Sequence, residues 1–193
     1  MIFTDRDIKE ALRYGSVEDI CYRSPAWIKV YPIDNYDNAI QPASIDLRLG
    51  SSFAFFEKNV NGQIIDIRDK KARMGVYEDR DSILMMPGDF ILGTTVETVE
   101  LGPMIQASVE GKSSLGRIGL MVHVTAGFVD PGFRGQITLE MCNLAPYPIM
   151  LWSGEYICQI AFQLCKSCCL KPYGHKDRNS HYQDQIGATK ARQ

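Results

Sequence analysis

The stretch Ala126-Gly127-Phe128-Val129-Asp130-Pro131-Gly132-Phe133-Arg134-Gly135-Gln136-Ile137-Thr138-Leu139-Glu140 decides how this chain folds on paper. Its second half alternates polar and apolar residues. Gln136, Thr138 and Glu140 therefore fall on one face of a strand, with Ile137 and Leu139 on the other. Pro131-Gly132 just before it is turn chemistry. The same pattern repeats outward in both directions. Runs rich in Val, Ile, Phe and Thr occupy Ser44–Leu49, Ser52–Glu57, Ile64–Ile67, Ser82–Met86 and Phe90–Thr95. More follow at Met104–Val109, Leu120–Val124, Gln136–Cys142, Ile149–Trp152 and Ile157–Leu164. Asn61-Gly62 and Pro87-Gly88 separate them as further turns. Many short strands at roughly regular spacing predict a mainly β sandwich or barrel.

Helical signal is confined to the start. Thr4-x-x-Asp7 ahead of Ile8, Ala11 and Leu12 predicts an N-cap and a short helix ended by Gly15. Residues 15–40, with Pro25, Pro32 and interleaved aromatics, read as a connecting segment or a partner-facing surface. A chain of 193 residues suggests one domain over 1–193. From Gly174 the tail is polar, a composition usually left without fixed structure.

Composition excludes several classes. The net charge is -2, so no bulk basic field marks a nucleic-acid binder. No apolar run is long enough for a membrane helix, and the N-terminus is polar and charged, unlike a signal peptide. The expectation is a cytoplasmic protein without a membrane segment. Six cysteines are present: Cys21, Cys142, Cys158, Cys165, Cys168 and Cys169. Cys165-x-x-Cys168-Cys169 near His175 suggests zinc, but a second C-x-x-C is missing, and free thiols in a reducing compartment are the better reading. H-x-E followed by P-C-x-x-C, the mark of zinc base deaminases, is also missing, so no zinc is expected.

Chemistry concentrates in two places. Gly111-Lys112-Ser113-Ser114-Leu115-Gly116-Arg117 brings hydroxyls, cations and glycines together, as wrapping a polyanion requires. In isolation it is also an ordinary polar turn, and it lacks the G-x-x-x-x-G-K-[ST] of a P-loop. Asp130 and Glu140 supply carboxylates able to orient water or move protons. Asp130 before Pro131-Gly132 equally suits a turn. The histidines, His123 included, form no Ser/His/Asp spacing.

These segments resemble the dCTP deaminase family of the dUTPase-like superfamily. The matching blocks are Glu110–Arg117, Thr125–Phe133 and Ile137–Glu140, with Gln41–Gly50 upstream and Gln185–Thr189 in the tail. The resemblance implies a distorted β-barrel or jelly roll. It implies zinc-independent, hydrolytic deamination of dCTP at cytosine C4. Glu140 is then the proton shuttle, Arg117 and Ser113 act near the reacting base, and Asp130 lines up water on the α-phosphate. Lys112, Ser113, Ser114, Leu115, Gly116 and Arg117 would hold the triphosphate. Ala126, Asp130, Phe133, Thr138, Leu139, Glu140, Gln159, Tyr173 and Gln185 would complete the nucleotide site, Phe133 lying under the deoxyribose.

Asp46 would support the phosphate–metal region, its alternative being an ion pair with Arg48 or Arg117. Mg²⁺ is expected with the triphosphate, without direct protein ligands. A homotrimer with shared sites, a C-terminal arm over about 174–193 closing on the nucleotide, and dTTP as a candidate inhibitor are implied as well. His181 stands before Tyr182 where many relatives carry Lys. Gly127-Phe128 resembles the members that continue to dUMP and diphosphate; single-activity members have basic residues there. Deamination stopping at dUTP is the alternative, with a plain dUTPase or a nucleotide-sensing protein behind it.

Overall fold

A computed structural model describes residues 1–15, 25–56, 74–189 and 191. Helix α1 (Asp5–Gly15) opens the chain. The Thr4 amide and hydroxyl both donate to the Asp7 carboxylate, at 2.9 and 2.8 Å, which is the predicted cap. Gly15 at its end packs against Ile28, where a Cβ would stand 2.1 Å from the carbonyl oxygen. Ile8 and Ala11 face inward.

The chain then runs through β1 (Ile28–Tyr31), α2 (Tyr36–Ala39), β2 (Ile40–Gln41), β3 (Ser44–Arg48), β4 (Ser52–Phe56) and β5 (Met74–Asp79). Next come β6 (Ser82–Met85), β7 (Phe90–Leu101), β8 (Ile105–Gly111), α3 (Ser113–Gly116) and β9 (Leu120–Met121). Last are β10 (Phe128–Val129), β11 (Arg134–Asn143), β12 (Ile149–Trp152) and β13 (Tyr156–Leu164). One sheet has the order β5-β4-β7-β11-β9, with β1 also paired to β7; the other is β10-β8-β13-β3-β2; β12 and β6 form a separate pair. The alternating faces of the two sheets share one core. Ile45, Leu47, Ile160 and Phe162 from one join Phe53, Val99, Leu139 and Met141 from the other. Neither strand path closes on itself among the described residues. The mainly β fold with its N-terminal helix is as expected, but it is not a closed barrel.

β2, β5 and β10 have no counterpart among the predicted runs, and three further strands depart from the expectation. β7 runs past Thr95 to Leu101, because β11 holds one of its edges while β4 and β1 divide the other. The buried Glu97 disguises that continuity. It is 2% exposed and is satisfied by Arg48, whose Nε and backbone N–H donate to it at 2.7 and 2.8 Å. β1 falls in the segment the sequence leaves unread. β9 stops at Met121, where the chain turns away from β11. The predicted strand Ile64–Ile67, its Asn61-Gly62 turn, and Cys21 lie outside the described residues.

The polar tail is laid along β11. The Asp184 amide donates to Arg134 O at 2.8 Å, and the Gln136 amide to Gln185 O at 3.0 Å. Beyond them, Gly187 N–H reaches Gln136 Oε1 at 2.7 Å and Ala188 N–H reaches Ser52 Oγ at 3.1 Å. Backbone bonds, together with the burial of Ala188 against Ala54 and Leu92, give this segment its place.

Candidate functional site

A cavity of about 630 Å³ lies between β11, the segment from His123 to Phe133, and the tail. Ala126, Asp130, Phe133, Thr138, Glu140, Tyr173 and Gln185 all line it, so the structure brings these predicted residues together. Strand alternation does this for Thr138 and Glu140, which face the cavity while their neighbours enter the core. For the same reason the Leu139 side chain is fully buried in that core; of Leu139, only the backbone is left to serve the site. Phe133 is buried against the Tyr173 ring, centroids 5.8 Å apart. The Tyr173 hydroxyl accepts from the Tyr182 amide at 2.9 Å, which ties the floor to the tail.

Glu140 is held on one side. The Thr125 amide donates to its Oε2 at 3.2 Å, and the Thr125 hydroxyl donates to the same oxygen. Oε1 has no hydrogen-bond partner among the described residues. Two more polar groups on the wall are unsatisfied among the described residues: both ring nitrogens of His123, and Oε1 of Gln185, are buried without a partner there. Buried polar atoms are seldom left so, because each costs roughly 1–3 kcal/mol. Sequence spacing sets His123 aside because it joins no triad. Its signal is positional, two residues before Thr125 in a chain leaving a strand. Asn179, His181, Tyr182 and Thr189 also line the cavity.

Gly127 is there for space. A Cβ would meet the Val109 carbonyl oxygen at 2.9 Å and the His123 ring at 3.4 Å. A basic side chain therefore does not fit at 127 with the backbone as it stands. Phe128 beside it is 66% exposed.

The phosphate-type segment is elsewhere. None of residues 112–117, nor Asp46 or Gln159, lines the cavity. Asp46, only 5% exposed, pairs with Lys112, not with Arg48 or Arg117; Arg48 is taken by Glu97 and Asp34. Lys112 also stands 5.6 Å from the Tyr156 ring centre. Gln159 links the cluster, its Nε2 donating to Gly111 O at 3.2 Å and its Oε1 accepting from Ser44 Oγ at 2.9 Å. Leu115 packs partly into the core and anchors α3. Ser113, Ser114, Gly116 and Arg117 are exposed. Their side chains have no partner among the described residues. The chain thus presents two half-sites, one with the acid–base groups and one with the cations.

Among the described residues no cluster of three His, Cys, Asp or Glu side chains is placed to hold a metal ion. Among the described residues, Asp46 Oδ1 is the one buried carboxylate oxygen without a partner. No helix of the described residues is long and apolar enough to cross a membrane.

Two open sheets around one core, with a carboxylate-bearing cavity and a separate cationic loop, define a mainly β domain with two polar half-sites. Residues 16–165 match the family described as dCTP deaminase-like, and the chain belongs to that family. It is similar to the "dCTP deaminase, dUMP-forming" of Dictyoglomus thermophilum, 42% identical over 195 residues, covering 100% of this chain and 94% of that one. The protein of the same name from Methanosphaera stadtmanae is 42% identical over 191 residues, covering 96% of this chain and 90% of that one. The "dCTP deaminase" of Halorubrum lacusprofundi is 41% identical over 196 residues, covering 100% and 91%. Among solved structures, the 2′-deoxycytidine 5′-triphosphate deaminase of Agrobacterium tumefaciens superposes with a TM-score of 0.60 at 24% identity. That match covers 84% of this chain and 48% of the other, so the chain spans about half of that protein's length. It speaks for the fold.

Proposed function

We propose that this protein deaminates dCTP at cytosine C4 by hydrolysis and carries the product on to dUMP and diphosphate in the same site. The observation that carries the reading is Glu140 on the cavity wall with one carboxylate oxygen held and the other open. Water loses a proton to that carboxylate as its oxygen bonds to C4, and N3 receives the proton. The second proton of the added water goes to the amino group, which leaves as ammonia. Asp130, exposed at the cavity rim, serves the later step by orienting water on the α-phosphorus. The dUMP-forming names of relatives similar along the whole chain support the second step. So does the tight packing at Gly127, which leaves no room for a basic side chain.

The triphosphate is expected to enter as its Mg²⁺ complex, the ion lowering the charge on the phosphate oxygens. Lys112, Ser113, Ser114 and Arg117 would hold those oxygens, and Asp46 sets Lys112 in place. The cationic half-site lies apart from the cavity within one chain, which supports a homotrimer in which one subunit's loop completes its neighbour's site. Tyr173, His181, Gln185 and the rest of the arm would cover the nucleotide.

Incubating the protein with dCTP and Mg²⁺ and resolving dCTP, dUTP and dUMP over time tests the reading. Accumulating dUMP with little free dUTP is expected, and Glu140→Gln should abolish both products. Accumulating dUTP would overturn the second step, and unchanged dCTP would overturn the function.

A further inference from the structure

We infer that Thr125 is a positioning residue that commits proton transfer in this site to Oε1 of Glu140. The inference rests on the deaminase reading above and deepens it. Both Thr125 donors fall on Oε2, the backbone N–H at 3.2 Å and the hydroxyl alongside it. A backbone amide only donates. A proton placed on Oε2 would face that amide and lose a charge-assisted bond. Oε1, open to the cavity and without a partner among the described residues, is the oxygen left to take and return protons.

The fold explains why Thr125 can do this. β9 pairs with β11 only at Cys142↔Met121 and Asn143↔Leu120. Past Met121 the chain leaves the sheet, so the Thr125 amide is free of ladder pairing and turns back to Glu140. Val109 N–H then holds Gly127 O at 2.8 Å, which pins the far side of the same segment. His123 and Ala126 line the cavity from within it. Glu140 thus takes its orientation from the segment that shapes the wall around the base. Each turnover balances through one oxygen. Oε1 takes a proton from water as the C4–O bond forms and delivers it to N3. It then takes the remaining hydroxyl proton and delivers it to nitrogen as the C4–N bond breaks, releasing ammonia and ending deprotonated.

The test compares Thr125→Val, which keeps the shape and the amide but loses the hydroxyl, with Thr125→Ser. Thr125→Val should lower kcat about 10- to 100-fold, in the range of a misaligned catalytic group. KM for dCTP should stay within about 2-fold if uniform binding is untouched. Thr125→Ser should recover most of the lost rate. A raised KM with kcat unchanged, or serine failing as badly as valine, would overturn the inference. The Glu140 carboxyl ¹³C chemical shift at one pH, read by NMR, reports the contact without turnover: a change in Thr125→Val that Thr125→Ser reverses supports the inference, and no change overturns it. Failure of the wild type to deaminate dCTP would instead bring down the functional reading, whatever the chemical shift shows.

Discussion

Gly127→Ala is the sharpest probe of how the cavity wall is built. The added methyl would stand 2.9 Å from the Val109 carbonyl oxygen, where ordinary contact begins near 3.4 Å. The wall must yield by about half an ångström. Val109 cannot easily recede, since β8 pairs it with Ile160 of β13 and its own amide donates to Gly127 O at 2.8 Å. Forced overpacking of this kind costs about 1–3 kcal/mol, and one contact against paired backbone places the expected loss near the middle, about 2 kcal/mol. Urea unfolding followed by tryptophan fluorescence measures it. The shift passes to His123, Thr125 and Ala126, so kcat for dCTP should fall roughly 10-fold. Gly127→Arg should do worse on both counts, whereas Phe128→Arg, at an exposed position, should leave stability within about 0.5 kcal/mol. A Gly127→Ala protein equal to wild type in stability and kcat would refute the packing argument.

Three further outcomes are expected. Glu97→Ala leaves the Arg48 guanidinium in a largely buried setting without its main partner and should cost about 3–5 kcal/mol by chemical denaturation; a loss below about 1 kcal/mol would mean the pair behaves as a surface one. Burial pushes the Cys158 thiol up, so iodoacetamide should label exposed Cys168 in the native protein and reach Cys158 only on unfolding, as peptide mass spectrometry would show. Arg134 holds the Asp184 carboxyl below its usual value. That pair therefore supports tail docking above about pH 3.9 and loses its contribution as pH falls through the lowered value. Both side chains are 53% exposed, so the effect is at most about 1 kcal/mol. Hydrogen-exchange protection of residues 184–189 should drop on acidification in wild type but not in Asp184→Asn. An equal drop in both would exclude the pair as its source.

Period-two alternation made β11 legible, along with the cavity-facing Thr138 and Glu140, because a strand leaves that trace wherever one face is buried. The Thr4–Asp7 cap was legible for the same local reason. Long-range electrostatics were not. Asp46 finds Lys112 across 66 positions, and local spacing points instead to Arg48, which Glu97 claims. Glu97 hid half of β7, since a charge inside a strand reads as its end until the partner is known. The tail misleads in the other direction: its composition is that of free chain, while its backbone groups are bound one by one to β11 and β4. Thr125 carries no sequence signal beyond its place, because its role comes from two donors converging on one oxygen.

The tail has a consequence for solubility. β9 covers only the far end of the outer edge of β11, and an uncovered strand edge is a template for pairing with another chain. By bonding to Arg134 and Gln136 and bridging Gly135↔Gln185, the tail caps the near end of that edge. A protein trimmed before Asp184 should lose more than part of its cavity wall. It should become prone to edge-to-edge aggregation at concentrations where the intact chain stays clear.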